Sequence, residues 1–142
     1  MTDRADQADR TDRVAELLAA TSYVLLTTFR KDGRLVPTPV WAAPLGDGRL
    51  VLVTQDSTGK VKRIRRDPHV LLAPCSRRGT PHGRPVDGTA EVLPDDRLPE
   101  VERVLADKYG LQFQVFGKVE SLLQRRGRMT GRRVAVALTV TG

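Results

Sequence analysis

The segment from Thr54 to Arg63 contains residue types that can bind an anion. Two hydroxyl side chains, Thr54 and Ser57, precede Gly59, and two cations, Lys60 and Arg63, follow it. A helix beginning near Gly59 would offer a phosphate free backbone N–H groups and a partial positive charge, and both cations would lie on one face of it. The segment lacks the glycine and lysine spacing of a P-loop. From this loop alone, an ordinary capped turn with solvated bases is therefore the simpler interpretation.

Two prolines lie in a segment, Arg34 to Ala43, that otherwise has the character of a strand. Proline has no N–H and is confined to strand edges and bulges. Because Pro37 and Pro39 are two residues apart, their missing donors lie on the same edge of the strand. That edge is predicted to be open, so something other than a neighbouring strand would lie against it.

The chain has a single cysteine, Cys75, and two histidines, His69 and His82. One cysteine excludes an internal disulfide and a multi-cysteine metal site, which is typical of a reducing compartment. Neighbouring arginines would lower the pKa of the Cys75 thiol, but no general base is placed beside it, so we interpret Cys75 as a structural residue. The histidines lie thirteen positions apart without the carboxylate spacing of a metal site, and we predict no metal ligands.

Arginine provides most of the positive charge of this chain, with 19 Arg against 5 Lys and a formal net charge of +7. Such a surplus is typical of a protein that binds anions, and it is equally typical of a solvated arginine-rich surface. The densest basic run is Gln124–Arg133. No helix-turn-helix, zinc-finger or RNA-binding aromatic pattern accompanies it. We therefore predict a solvated connection there and no nucleic-acid partner.

The length of 142 residues corresponds to about one domain. Residues 1–11 have almost no hydrophobic content and are predicted to be a flexible leader, with a single domain over residues 12–142. Thr11 is expected to cap a helix over Asp12–Ala20. No apolar run reaches the roughly 18 residues of a membrane span, and the N-terminus shows no signal segment, so we expect a cytoplasmic protein without membrane contact.

Residue patterns along the chain predict about six strands and a few short helices. Short runs rich in Val, Leu and Thr, bounded by Gly, Pro and Asp, favour strands: Tyr23–Phe29, Arg34–Ala43, Arg49–Thr54, His69–Pro74, Arg84–Leu93 and Arg133–Val140. Helical spacing is found over Lys60–Arg66, over Asp95–Asp107 before Gly110, and over Gln112–Arg126. These elements predict a mainly β or α+β fold built on a small barrel-like sheet.

Several motifs occur in a characteristic order over residues 15–140: Tyr23–Gly33, Pro37–Trp41, Thr54 with Gly59–Arg63, Asp67-Pro68, Ala73–Cys75, Arg78-Gly79, Gly88–Ala90 and Lys108–Gly110. In this order and spacing the chain resembles the pyridoxamine-phosphate-oxidase-like split β-barrel family. The resemblance is closest to the branch that uses the deazaflavin coenzyme F420.

This resemblance implies a six-stranded split β-barrel of the FMN-binding type, which works as a homodimer with its cofactor at the dimer interface. The backbone of the open strand would contact the edge of the cofactor ring, and the loop before the short helix would hold the phosphate. The implied cofactor-binding residues are Pro37, Thr38, Pro39, Val40, Thr54, Ser57, Lys60 and Arg63.

The implied cofactor is coenzyme F420, with FMN as the alternative. F420 carries a lactyl-oligoglutamate tail, and surplus arginines such as Arg30 and Arg34 suit its negative charge. Relatives that use FMN tend to have an arginine in the second strand, where this chain has Pro37 or Thr38. This departure disfavours an oxidase that acts on pyridoxamine phosphate.

The implied function is hydride transfer from the reduced deazaflavin to an activated double bond of a small organic acceptor. The protein would position the reactants and exclude water. No catalytic residue is identified, and Tyr109 is interpreted as a capping aromatic. Two functions of other classes stay open: a non-catalytic cofactor carrier or sensor on the same fold, and a basic nucleic-acid-binding domain.

Overall fold

The computed structural model describes residues 4–113 and 132–142. In this part of the chain the helices are α1 (Arg4–Ala20), α2 (Gly59–Arg66) and α3 (Leu98–Tyr109), with a short 3-10 turn over Asp95–Arg97 directly before α3. None of these helices is long and apolar enough to cross a membrane. The predicted helix over Gln112–Arg126 and most of the basic run Gln124–Arg133 lie outside the described residues.

Seven strands of the described residues form one antiparallel sheet: β1 (Tyr23–Phe29), β2 (Leu35–Val40), β3 (Ala43–Pro44), β4 (Leu50–Gln55), β5 (His69–Cys75), β6 (Val86–Val92) and β7 (Arg133–Val140). Their order in the sheet is β2-β1-β5-β6-β7-β4-β3. The predicted mainly β or α+β class is confirmed. The predicted number of six strands is wrong, because the segment Arg34–Ala43 divides between two strands at opposite ends of the sheet.

The division of this segment explains why the sheet curls. β2 pairs with β1 and β3 pairs with β4, so two strands that follow each other in the chain lie at the two edges of the sheet. Only Trp41 and Ala42, which we call the seam, separate them, and three Cα–Cα steps span at most about 11 Å. The two edges must therefore approach each other at the seam, and the sheet forms an incomplete barrel.

The two faces of β7 carry side chains of different size. Val136 and Leu138 belong to the core inside the curl, whereas Ala135 and Ala137 belong to a second cluster that includes Leu105 of α3. Successive side chains of a strand point to opposite faces. The small alanines therefore leave room for α3 to pack closely on the outer face of the sheet.

Helix α1 begins earlier than the sequence predicted. It starts at Arg4, and Thr11 lies inside it, where the Thr11 hydroxyl donates to a backbone carbonyl one turn earlier at 2.9 Å. The predicted cap at Thr11 is therefore wrong. Alanine, arginine and glutamine favour helix in this segment, and Asp9 pairs with Arg13 at 3.1 Å across one turn. The flexibility of residues 1–11 stays a prediction.

Two glycines form turns that position the site. Gly33 connects β1 to β2 with a φ of 88°, and Gly110 ends α3 with a φ of 61° while its N–H donates to the Ala106 carbonyl at 2.7 Å. Both φ values lie in the left-handed region that glycine adopts at little cost. The hairpin and the end of α3 were therefore predictable from local sequence.

Candidate functional site

A cavity of about 360 Å³ opens between the ends of β2 and β4, the start of α2 and the end of α3. This volume is at the small end of the range for ligand pockets. Most of its wall is apolar, and polar side chains gather where β4 leads into α2. The lining residues are Tyr23, Pro39, Val40, Trp41, Val53, Thr54, Gln55, Thr58, Lys60, Leu105, Phe113 and Arg133.

Lys60 provides a cation at the α2 end of this cavity. Its ammonium donates a hydrogen bond to the Thr54 hydroxyl at 3.2 Å, and no carboxylate among the described residues pairs with it. Burial lowers the pKa of Lys60, and the nearby charge of Arg63 lowers it further. A partly buried cation with no carboxylate partner is suited to an anionic ligand.

The opposite wall of the cavity is apolar and lies at an open sheet edge. Pro39 and Val40 end β2, which in the described part of the chain pairs only with β1. The open edge predicted from the two prolines is therefore confirmed. Next along the chain, Trp41 stacks on Tyr109 with ring centroids 4.9 Å apart and ring planes 14° apart.

The end of α3 holds the seam in position. The Tyr109 hydroxyl accepts a hydrogen bond from the Ala42 N–H at 3.1 Å and donates to the Ser22 carbonyl at 2.8 Å. The Lys108 ammonium donates to the Thr21 and Ala42 carbonyls at 2.7 and 2.6 Å. Burial raises the pKa of Tyr109 to about 12 and lowers the pKa of Lys108. These bonds agree with the interpretation of Tyr109 as a capping residue.

A second cavity of about 400 Å³, which we call the basic groove, lies between the β1–β2 turn and α2. Two of its arginines are fixed to the end of β1. Arg63 Nε donates to the Thr28 hydroxyl at 2.6 Å, and Arg66 donates to the Phe29 carbonyl. The lining residues of the basic groove are Arg30, Lys31, Asp32, Arg34, Gly59, Lys62, Arg63 and Arg66.

The cofactor-binding residues implied by the sequence fall into three groups. Four line the first cavity: Pro39, Val40, Thr54 and Lys60. Arg63 lines the basic groove instead, because residues three apart on a helix diverge by about 60° and the bond to Thr28 turns Arg63 toward β1. Three residues line neither cavity: Pro37, Thr38 and Ser57. The role of all eight in cofactor binding stays a prediction.

Sequence reasoning missed several parts of the cavity wall. Trp41 directly follows the proline segment, and that adjacency was a usable signal. Thr58 is the N-cap residue of α2, so its position could also have been inferred from the start of the helix. Leu105, Phe113 and Arg133 reach the cavity from α3, the segment after it and β7. No local pattern predicts those contacts, because they depend on how the sheet curls.

The remaining reactive side chains that the structure describes do not gather into a metal site. Cys75 is buried, and burial raises the pKa of its thiol, the opposite of the lowering that nearby arginines would produce. His69 is hydrogen-bonded to the Asp87 carboxylate at 2.8 Å and stacks on Phe29. In residues 4–113 and 132–142, no cluster of three or more His, Cys, Asp or Glu could hold a metal ion.

Comparison with known families gives one match over most of the chain. The family model described as pyridoxamine 5′-phosphate oxidase matches residues 11–142. No curated protein matches the sequence significantly.

Several solved structures share the fold. An F420 reductase is 20% identical with a TM-score of 0.56, covering 89% of this chain and 92% of that one. A FAD-binding protein from Mesorhizobium loti is 19% identical with a TM-score of 0.59, covering 92% and 87%. The heme storage protein HutZ from Vibrio cholerae is 10% identical with a TM-score of 0.62, covering 92% and 89%. At these identities the likeness is one of fold alone, and the fold serves proteins with different ligands.

Proposed function

The chain belongs to the pyridoxamine 5′-phosphate oxidase family, and we propose that it is an oxidoreductase that binds coenzyme F420 in the cavity between β2, β4 and α3. One observation carries this proposal. A partly buried cation, Lys60, and an apolar wall that ends in Trp41 line the same cavity. A planar ring with an anionic side chain needs both features in one place.

The residues present fit such a cofactor. Lys60 and Thr54, already within hydrogen-bond distance of each other, would hold the phosphate. Pro39, Val40 and Trp41 would lie against the ring, because they form the apolar wall at the open edge of β2. When bound and reduced, a deazaflavin supplies a hydride to an activated double bond, and the second hydrogen of the product comes as a proton from solvent.

The preference for F420 over FMN rests on the sequence. Pro37 and Thr38 stand where relatives that use FMN tend to have an arginine, and the net charge of +7 suits a cofactor with several negative groups. FMN is the alternative cofactor at the same site. A carrier that binds the cofactor without turnover is the alternative function.

Tyr109 would position the reactants rather than supply a proton. Both hydrogen-bonding directions of the Tyr109 hydroxyl are used by backbone groups, and its pKa is raised to about 12. A phenol held in this way is a poor proton donor at neutral pH. Tyr109 would instead fix the orientation of Trp41, on which it stacks.

We also propose that the chain works as a homodimer with the cofactor at the dimer interface, as the family resemblance implies. Sedimentation equilibrium at micromolar concentration is expected to give a dimer. A monomer under these conditions would contradict the homodimer.

The single tryptophan of the chain makes the cofactor site directly testable. Trp41 lines the cavity, so its fluorescence should be quenched when a ring binds there. We expect saturable quenching by F420 that is tighter than quenching by FMN. Lys60→Ala should weaken binding about tenfold or more, since a hydrogen bond to a charged group contributes about 1.5–3 kcal/mol.

The matched control is Arg103→Ala, which removes one exposed positive charge from α3 outside both cavities. It should leave the affinity within about twofold. Tighter binding of FMN would support the proposed site but identify FMN, rather than F420, as its cofactor. Cofactor binding without reoxidation of reduced F420 by any quinone acceptor would favour a carrier. Binding of neither cofactor, or equal effects of Lys60→Ala and Arg103→Ala, would contradict the proposed site.

A further inference from the structure

The basic groove carries far more positive than negative charge. Six cations line it, from Arg30 to Arg66, and Asp32 is the one acidic residue in its lining. Asp32 is already engaged, because its carboxylate accepts hydrogen bonds from the backbone N–H of Arg34 at 3.0 Å and from the Arg34 guanidinium at 2.7 Å. The remaining cations of the groove lack a carboxylate partner within the described residues.

Two of these cations, Arg63 and Arg66, are held in place by hydrogen bonds. Arg63 is bonded to Thr28, and Arg66 to the carbonyl of Phe29, so both guanidinium groups are tied to the end of β1. The Arg63 guanidinium also packs over Gly59, where an added Cβ would lie only 2.7 Å from it. A guanidinium that is already oriented loses less entropy when it binds an oxyanion.

Holding like charges together in this way is unfavourable in the absence of an anion. Burial lowers the pKa of Arg63, and the charges of Arg30 and Arg66 lower it further. An anion in the groove would neutralise this repulsion and would receive several charge-assisted hydrogen bonds. A volume of about 400 Å³ lies within the range of small-molecule sites.

We propose that the basic groove is a binding site for a small polyanion with at least two phosphate or carboxylate groups. The site is separate from the cavity that contains Lys60, because no cation lines both. It goes beyond the proposed oxidoreductase function and does not depend on it. The ligand is a free polyanion, because the two cavities share no lining residue. Occupation of the groove by the anionic tail of a cofactor in the neighbouring cavity is the alternative that the test excludes.

The test uses the full chain and isothermal titration with tripolyphosphate and with citrate at physiological salt. The groove variant is the double substitution Arg30→Ala and Lys62→Ala, because both side chains are exposed and neither makes a side-chain bond in the described structure. The matched control, Arg84→Ala with Arg103→Ala, removes the same charge from exposed positions outside the groove. Circular dichroism checks that each variant is folded.

We expect the groove variant to weaken tripolyphosphate binding about tenfold or more, and the control and Lys60→Ala to change it by less than about twofold. Equal losses in both double variants would overturn the proposal, because the binding would then follow net charge alone. A larger loss in Lys60→Ala would also overturn it, by assigning the anion to the first cavity. So would the absence of binding by the wild type, or binding only to long oligonucleotides.

Two further measurements separate a free polyanion from the cofactor tail. A weaker affinity for F420 with an unchanged affinity for FMN in the groove variant would assign the groove to the cofactor tail and overturn the proposal. Unchanged tripolyphosphate binding to protein saturated with cofactor would identify a free second ligand. If no cofactor binds but tripolyphosphate does, the proposed function fails while the groove stands.

Discussion

Lys60 and Lys62 lie two residues apart on α2 but in different surroundings. Lys60 is partly buried in the first cavity and bonded to Thr54, whereas Lys62 is exposed and lines the basic groove. Residue type and spacing could indicate that this segment is suited to anions. They could not show that its cations serve two cavities, because the direction of Arg63 depends on Thr28 of another strand.

At the residue scale, Tyr109→Phe tests whether the hydroxyl holds the seam. Phenylalanine keeps the stack on Trp41 but leaves the N–H of Ala42, a fully buried residue, without its partner. We expect the free energy of unfolding to fall by about 1–3 kcal/mol, measured by urea denaturation. Tyr23→Phe is the control, because no hydrogen bond of the Tyr23 hydroxyl is found in the described structure. An equal loss in both variants would contradict the role of Tyr109.

The raised pKa of Tyr109 predicts that the free energy of unfolding depends on pH, and it fixes the direction of that dependence. Below pH 10 Tyr109 is neutral in both states, so its bonds contribute fully. Between its ordinary pKa of 10.0 and about 12, the unfolded phenol loses its proton while the folded one keeps it, so stability falls as pH rises. Because the phenol is only half buried, solvent screening reduces the effect of this pKa difference. Over that range the wild type should lose about 1–2 kcal/mol more stability than Tyr109→Phe, as measured by urea denaturation at each pH. Parallel curves for the two proteins would contradict the assignment.

At the element scale, the backbone N–H groups of β2 point alternately toward β1 and away from it. Positions whose N–H points away from β1 should tolerate proline, and the others should not. Pro37 and Pro39 lie opposite Thr27 and Leu25, and without N–H groups they must be the positions that do not bond to β1. Thr38 is then bonded to β1 through its backbone. Thr38→Pro should lower the free energy of unfolding by about 1–3 kcal/mol or more, measured by urea denaturation.

Leu35→Pro is the matched control for this prediction. Leu35 has the same parity as the two native prolines, so its N–H belongs to the open edge, and the substitution should cost less than about 1 kcal/mol. If Leu35→Pro destabilised the protein as much as Thr38→Pro, the register of β2 on β1 or the openness of the outer edge would be wrong.

The elements with strong local signals were predictable from the sequence, whereas the two-residue strand β3, which shapes the site, was not. The strand β7 was predicted with its observed ends, Arg133 and Val140, and Gly110 was predicted to end α3. The two-residue strand β3 has no periodicity of its own. It exists because the chain crosses the seam and meets β4, which is a consequence of long-range pairing. The cavity could not be predicted from local sequence either, because its walls come from both sides of the seam.

At the scale of the whole molecule, the cations behind the net charge of +7 are of two kinds: some form ion pairs and others have no carboxylate partner in the described structure. The described end of the basic run is already paired: Arg132 contacts Asp95 and Asp56, and Arg133 contacts Glu102 at 3.0 Å. These ion pairs reduce the charge available there for a polyanionic partner. Five cations without a carboxylate partner in the described structure line the basic groove instead, so net charge alone is a poor guide to where an anion would bind.

Salt dependence separates the nucleic-acid interpretation from specific anion sites. Contacts between exposed cations and DNA phosphates are lost steeply with salt, because the screening length is only about 8 Å at physiological ionic strength. A partly buried cation such as Lys60 is screened less. We therefore expect retention on DNA at low salt to disappear by about 0.15 M, while cofactor quenching of Trp41 changes by only a few fold. The aromatic rings Trp41 and Tyr109 stack on each other rather than forming a platform for bases, which argues in the same direction. DNA retention that persists at this ionic strength, in the groove variant as in the wild type, would instead mean that the basic surface recognises nucleic acid.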